Sequence, residues 1–155
     1  MLRSLAGLVL WVAVCFAVAG LGSIPTAPAV EGWYRNLPKP SWTPPAGLFA
    51  PVWTALYLLM AVAAWRIWVR AGLGSPAVRL FLAQLALNAG WSWIFFGLRR
   101  PGWAAAEIVA LWFCLLATTI AFWNEDRLAS ALLWPYLAWV SFASALNFAI
   151  WRMNP

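Results

Sequence analysis

Residues 128–151 read LASALLWPYLAWVSFASALNFAIW, and no charged side chain occurs in these 24 positions. A transmembrane helix needs about 20 mostly apolar residues to cross the hydrocarbon core, so this stretch is long enough for one crossing. Four other segments are similar and hold at most one charged residue each: 4–21, 46–68, 77–98 and 103–123. The sequence therefore predicts an all-α integral membrane protein, a single-domain bundle of five transmembrane helices over residues 1–155.

The composition of the whole chain supports this class and excludes others. Of 155 residues, 65% are hydrophobic and 9% are charged, and histidine is absent, whereas a soluble domain carries about 25% charged residues. A transmembrane β-barrel would show segments of roughly ten residues with alternating polarity, and the sequence has none. The net charge of +6 is scattered over the connections, so nucleic acid is not an expected partner. Five basic residues fall on each side of the predicted bundle, and the positive-inside rule therefore gives no orientation.

The first segment has an alternative interpretation. Arg3, an apolar run and the small residues Ala17, Val18 and Ala19 also resemble a secretory signal with its cleavage site. Because the sequence keeps this segment after Met1, we expect a retained span.

Residues 22–45 separate the first two spans and contain six of the eleven prolines. Proline lacks an N–H and restricts the residue before it, so we expect a Pro/Trp-rich loop without regular helix. Trp33, Tyr34 and Trp42 are interleaved with these prolines, and long loops in compact proteins are usually functional or disordered. We predict a lid over one end of the bundle; a linker is the alternative.

Helical spacing places polar and aromatic side chains on one stripe in three of the spans. Span three carries Gln84, Asn88 and Trp91 at i, i+4 and i+7, and buried amides in hydrocarbon need partners. The stripe of span two is Phe49, Trp53, Tyr57 and Met60, and that of span five is Tyr136, Trp139, Ala143, Leu146 and Asn147. Together they predict one apolar cavity for a planar hydrophobic ligand; for each stripe alone, simple packing is the alternative.

The opposite face of span three is small. Ala86, Gly90 and Gly97 share it, and small residues allow a second helix backbone to approach closely. We expect a dimer contact on this face. The alternative is that it meets a neighbouring helix of the same chain.

Several chemistries find no support in the sequence. Without histidine, Cys15 and Cys114 cannot complete a usual zinc or iron site, and no serine lies in a nucleophile motif. Glu107 is the one acid inside a predicted span. We expect it to pair with Arg99 or Arg100 near a helix N-terminus, with a proton relay as the alternative. No metal and no required cofactor are predicted.

At the level of motifs the sequence resembles the TspO/MBR family of tryptophan-rich sensory proteins and mitochondrial translocator proteins, formerly called peripheral benzodiazepine receptors. The matching stretches follow the family order. They are GWYRNLPKPSWTPP at 32–45, PVWTALY at 51–57, QLALN at 84–88 with Trp91 and IFFG at 94–97, GWA at 102–104, and PYLAWVSFASALNFAIWR at 135–152.

The resemblance implies a five-helix bundle, usually a homodimer, whose ligand cavity is capped by the loop between the first two helices. Its implied ligands are porphyrins such as protoporphyrin IX and haem, cholesterol, and isoquinoline carboxamide or benzodiazepine drugs. The family's pocket positions fall on Trp42, Phe49, Trp53, Tyr57, Asn88, Trp91, Trp103, Ala106, Trp139, Ala143, Leu146 and Asn147.

On this basis we expect a receptor or transporter-like protein that binds porphyrins and has a sensory or tetrapyrrole-handling role. Its expected location is a bacterial cell envelope membrane, or the mitochondrial outer membrane in a eukaryote. Two alternatives remain: a sterol-binding translocator, and a light-dependent enzyme that degrades protoporphyrin IX. Trp53 and Trp139 are the candidate catalytic indoles for the second.

Two positions depart from the family pattern. Phe148 stands where the sterol-recognition pattern has tyrosine before the terminal Arg152, which disfavours sterol binding through that weak motif. Trp93 stands where the family commonly has proline, so we expect a straighter third helix with a bulkier dimer face.

Overall fold

The computed structural model describes residues 2–155, with side chains from residue 4 onward. The side chain of Arg3, one of the ten basic residues of the sequence, is therefore not among those described. The described chain contains helices and no strand. The helices are α1 Leu2–Glu31, α2 Trp33–Asn36, a 3₁₀ turn Ala46–Leu48, α3 Phe49–Ala71, α4 Pro76–Ser92, a π-helical turn Trp93–Gly97, α5 Pro101–Glu125 and α6 Arg127–Met153. Five are long and apolar enough to cross a membrane: α1, α3, α4, α5 and α6. The predicted fold class is confirmed.

The five long helices form a closed ring. α1 packs against α3 and α4, α3 packs against α6, and α5 joins α6 to α4. Phe81, Phe122 and Tyr136 are fully buried inside it, whereas Val9 and Phe113 are exposed on the outer faces. Apolar outer faces are expected, because lipid tails are as apolar as these side chains.

Short capped turns connect the spans on the side away from the predicted lid. Gly72 ends α3 with a φ of 78°, a conformation that glycine adopts without steric cost. The Ser75 hydroxyl then accepts from the Val78 N–H at 3.3 Å and caps α4, whose first residue is Pro76. Asp126 caps α6 in the same way, accepting from the N–H groups of Leu128 and Ala129 at 2.9 and 3.2 Å.

The first helix is longer than predicted. α1 runs from Leu2 to Glu31 and includes Pro25 and Pro28, so the expectation of no regular helix from residue 22 is wrong. Each proline removes one N–H and crowds the carbonyl four residues earlier, and packing within a membrane bundle offsets these costs. Pro25 is buried, and a Cβ built on Gly97 would lie 3.3 Å from its Cβ. The loop therefore begins at Gly32.

The third span does not end as a straight helix. From Trp93 to Gly97 the chain makes a π-helical turn, in which the Leu98 N–H donates to the Trp93 carbonyl at 2.8 Å. The expectation that Trp93 straightens this helix is wrong, because the wider turn buries Phe95 against Trp91, with ring centroids 5.1 Å apart. Such turns are frequent at functional sites.

The small residues of span three are not all turned outward, since Ala86 and Gly97 are exposed and Gly90 is half-buried. A Cβ on Gly90 would lie 3.7 Å from Oε1 of Glu107 in α5, and one on Gly97 would approach Pro25 in α1. These two glycines therefore accommodate neighbours in the same chain, which was the alternative interpretation. Ala86 is exposed on the outside, and the homodimer stays a prediction.

Candidate ligand-binding cavity

A cavity of about 450 Å³ lies within the bundle between α1, α3 and α4. Its volume falls in the range of roughly 300–1,000 Å³ typical of small-molecule sites. Five of the predicted site residues line it: Phe49, Trp53, Tyr57, Asn88 and Trp91. The stripes of spans two and three therefore face one another across the same space.

The wall contributed by α3 is aromatic. The rings of Trp53 and Tyr57 are tilted with centroids 5.6 Å apart, and Phe16 of α1 lies 6.2 Å from Tyr57. Trp53 also meets Tyr136 of α6 edge-on at 6.0 Å. These contacts hold the indole of Trp53 within an aromatic apolar wall, and aromatic rings are surfaces on which a planar ligand stacks.

The wall contributed by α1 was missed by the sequence prediction. Phe16, Ala19, Gly22, Ser23, Thr26, Ala27, Val30 and Glu31 all line the cavity. Six of these eight lie at residue 22 or beyond, in the region expected to be a loop. The spacing Ala19, Ser23, Thr26 and Val30 follows one helical face and would have indicated this wall had the prolines not been taken as helix breakers.

A hydrogen-bonded amide closes the deep end of the cavity. The Tyr57 hydroxyl donates to Oδ1 of Asn88 at 3.2 Å, and Nδ2 of Asn88 donates to the Tyr136 hydroxyl at 2.5 Å. All three residues are buried. This pairing satisfies polar groups that would be costly in an apolar interior and ties α3, α4 and α6 together.

The stripe of span five lines a separate, smaller cavity of about 30 Å³. Trp139, Ala143, Leu146 and Asn147 face it, and Tyr34, Phe49, Trp91 and Phe96 are shared by both cavities. The expectation of one hollow is therefore wrong, because these four aromatic side chains divide the interior. Nε1 of Trp91 donates to Oδ1 of Asn147 at 2.9 Å, which fixes the dividing indole in place.

Three predicted site residues line neither cavity. Trp103 is 74% exposed and Ala106 is also exposed, because both lie on the outward side of α5. Trp42 lies in the loop and packs edge-on against Phe142 with centroids 5.8 Å apart. Of the two candidate catalytic indoles, only Trp53 faces the large cavity.

The segment after α1 reaches both cavities through Tyr34 of α2, which lines each of them. Tyr34 is buried, and burial raises the pKa of Tyr34 to about 12. Nζ of Lys39 donates to the carbonyls of Tyr34, Arg35 and Leu37 at 2.6, 3.2 and 2.9 Å and lies 4.8 Å from the Tyr34 ring centroid. Partial burial lowers the pKa of Lys39. The ammonium thus holds the carbonyl end of α2 in place, and the lid stays a prediction.

Glu107 does not form the predicted ion pair. Its carboxylate oxygens are buried without a hydrogen-bond partner, and it points toward Gly90 of α4, while Arg99 and Arg100 are exposed in the connection before α5. The ion pairs among the described side chains join Arg66 and Arg70 to Asp126. Over the same residues no group of three or more potential metal ligands is found.

Comparison with proteins of similar sequence shows the family to which the chain belongs. The TspO/MBR family model matches residues 11–152. A tryptophan-rich protein TspO from Chlorobaculum tepidum is 43% identical over 152 residues, 96% of each chain, and a tryptophan-rich sensory protein from Cereibacter sphaeroides is 40% identical over 144 residues, 93% of this chain and 89% of that one. The human translocator protein is 42% identical over 126 residues, 79% of this chain and 75% of its own. The chain is a member of the TspO/MBR family of membrane proteins.

Proposed function

We propose that this membrane protein binds a planar hydrophobic ligand of the tetrapyrrole class, such as protoporphyrin IX or haem, in the cavity between α1, α3 and α4. The observation that carries the proposal is the cavity itself, whose wall combines Trp53, Tyr57 and Phe16 with the amide of Asn88. A mostly apolar pocket with a few fixed polar groups is the usual form of a small-molecule site.

The wall suits a flat ring better than a compact or flexible ligand. Aromatic side chains from two helices, Phe16 and Trp53, approach the cavity from different sides, and stacking on such side chains contributes about 1–3 kcal/mol per ring contact. The lid would cover the ligand at the α2 end through Tyr34. We place this activity in a sensory or tetrapyrrole-handling role, because relatives are named as tryptophan-rich sensory and translocator proteins. We place it in a bacterial cell envelope membrane because the relatives from Chlorobaculum tepidum and Cereibacter sphaeroides match over most of this chain.

The experiment is a titration of the reconstituted protein with protoporphyrin IX, followed by quenching of tryptophan fluorescence. Trp53→Ala should weaken binding by about 1–3 kcal/mol, since it removes a stacking surface. Trp103→Ala is the matched control, because the same side chain is lost from the exposed face of α5. Equal dissociation constants for the two variants, or the larger loss in Trp103→Ala, would contradict the proposed site.

A further inference from the structure

The large cavity is open on one side, between α1 and α3. Its lining includes residues that are also exposed, and these form two rows: Ser23, Ala27 and Glu31 on α1, and Ala46, Ala50 and Thr54 at the start of α3 and the turn before it. We call the gap between the two rows the side opening. Residues 23–31 extend about 12 Å along the axis of α1, so the side opening is long as well as accessible.

The side opening exists because α1 and α3 diverge toward the end of the bundle where α2 lies. At the opposite end the two helices touch, since a side chain on Gly7 would collide with the ring of Trp68. Midway along, the rings of Phe16 and Tyr57 bridge them, with centroids 6.2 Å apart. Beyond this contact the facing rows consist of small residues except for Glu31. Little side-chain bulk therefore fills the gap.

The segment after α2 does not lie across the side opening. Its described contacts are with α6 and the residue that follows it. Trp42 packs edge-on against Phe142 with ring centroids 5.8 Å apart, and Nδ2 of Asn154 donates to the Pro38 carbonyl at 3.0 Å. Because α6 is on the far side of α3 from α1, these contacts leave the gap between α1 and α3 uncovered.

The surface beside the side opening is apolar. Ile24 lies next to the α1 row, Leu48 and Leu58 lie beside the facing row, and all three side chains are exposed. Large aliphatic side chains on the outer face of a membrane helix contact lipid tails, which are equally apolar. The side opening therefore faces the hydrocarbon of the bilayer.

The end of the side opening nearest α2 lies at the level of the membrane surface. Glu31 ends α1, and Arg35 follows one turn later; both side chains are exposed. Their charges are opposite, so neither sign dominates there. Protoporphyrin IX carries its carboxylates on one edge of an apolar ring, and burying those charges in hydrocarbon is costly. In a bilayer its charged edge therefore stays at the surface, while its ring lies at the depth of the side opening.

We propose that the side opening is the entrance of the cavity, so that the ligand enters and leaves between α1 and α3, from the hydrocarbon of the bilayer rather than from water through the lid. This inference rests on the proposed function and adds the route to the same site. The ring would pass between the two rows of small residues, while its carboxylates would remain at the membrane surface.

The test narrows the side opening with one added ring. Ala27→Phe and Ala50→Phe each place a phenyl group in one of the two rows. Ala145→Phe is the matched control, because Ala145 is exposed on the outer face of α6 and lines neither cavity. Each protein is placed in phosphatidylcholine bicelles, which exchange their lipids rapidly, and its folding is checked by circular dichroism.

The rates of association and dissociation of protoporphyrin IX are measured by stopped-flow tryptophan quenching. Association is started by mixing with ligand-loaded bicelles, and dissociation by dilution into ligand-free bicelles. A narrower entrance raises the barrier equally in both directions. Ala27→Phe and Ala50→Phe should therefore slow both rates by about five-fold or more, which corresponds to about 1 kcal/mol on each barrier, with a nearly unchanged Kd. Ala145→Phe should match wild type.

Wild-type rates in folded Ala27→Phe and Ala50→Phe would overturn the inference. A change in only one of the two rates would also overturn it, because that result indicates altered affinity and not altered access, as would equal slowing in Ala145→Phe. Lys39→Met removes the ammonium that bonds three carbonyls after α1, and faster exchange in this variant would show passage through the lid.

Each of these contrary results leaves the proposed function intact, because each is measured on protein that binds protoporphyrin IX. Failure of the wild-type protein to bind protoporphyrin IX would overturn the proposed function, and the inference with it.

Discussion

Asn88 is the residue on which the deep end of the cavity depends. Its Oδ1 accepts a hydrogen bond from the Tyr57 hydroxyl, and its Nδ2 donates one to the Tyr136 hydroxyl. One amide therefore pairs two buried hydroxyls. A hydrophobic residue of similar size would leave both hydroxyls unpaired away from water, and a buried polar group without a partner is destabilising. The Asn88 amide therefore helps to fix the positions of α3, α4 and α6 at the deep end of the cavity.

We expect Asn88→Ala to lower the free energy of unfolding by about 1 kcal/mol, the scale measured for hydrogen bonds between transmembrane helices. The measurement is denaturation by sodium dodecyl sulfate in mixed micelles. Asn124→Ala is the control, because Asn124 is exposed at the end of α5. Stability losses of equal size in the two variants would show that the amide has no special structural role.

Individual residues also show how far the sequence could predict the site. The interior position of Asn88 followed from helical spacing, since an amide in a span has few other places to lie. Trp103 and Ala106 were assigned from family resemblance alone, which does not tell which side of α5 faces inward. Both lie on the outer face.

At the scale of elements, the five spans followed from apolar runs, but the local course of α1 and α4 did not. Proline propensity predicted a break at residue 22, whereas packing of Pro25 against the π-helical turn carries α1 on to Glu31. The π-helical turn at Trp93 has no simple signature in sequence. Because these segments build the α1 wall and the dividing aromatic side chains, the cavity was predicted only in part.

The turn between α5 and α6 is held to α3 by Asp126. Arg66 and Arg70 approach its carboxylate at 2.7 and 3.1 Å, and Asp126 is 6% exposed. Burial alone would raise the pKa of Asp126, but hydrogen bonds from Ala129, Arg66 and Leu128 together with the Arg66 charge outweigh it and hold the pKa below 3.8. The ionised carboxylate is thus favoured in the folded protein.

This lowered pKa predicts an acid-dependent loss of stability. The contribution of Asp126 is complete above the unfolded pKa near 3.8 and is lost as the pH falls through the lower folded value. Asp126→Asn should be less stable than wild type by up to about 1 kcal/mol at neutral pH, through loss of a partly exposed ion pair, while the asparagine oxygen can still accept the capping hydrogen bonds. The stability difference between wild type and Asp126→Asn should shrink as the pH falls toward the pKa of Asp126 in the folded protein.

The check is detergent denaturation of wild type and Asp126→Asn from neutral to acid pH. Glu125→Gln serves as the control, since its neighbouring carboxylate lies outside the ion pair and its acid profile should follow wild type. A stability difference for Asp126→Asn that does not change with pH would contradict the role given to the ionised carboxylate.

At the scale of the whole molecule, the ring order of the helices determines which stripes share a cavity. α1 stands between α3 and α4 on one side, and α6 contacts α3 on the other, so the stripe of span five is separated from the main cavity by Phe49 and Trp91. Periodicity within each helix predicted that these stripes face inward. Periodicity could not predict that the interior is divided into two cavities, because the division depends on contacts between residues far apart in sequence.

The most direct test of the account is to fill each cavity in turn with the same substitution. Ala19 lines the large cavity and Ala143 the small one, so Ala19→Phe and Ala143→Phe form a matched pair, with folding checked by circular dichroism and gel filtration. If protoporphyrin IX occupies the large cavity, Ala19→Phe should raise its dissociation constant by about ten-fold or more and Ala143→Phe should leave it nearly unchanged. Undiminished binding by a folded Ala19→Phe variant, with binding lost in Ala143→Phe, would contradict the account.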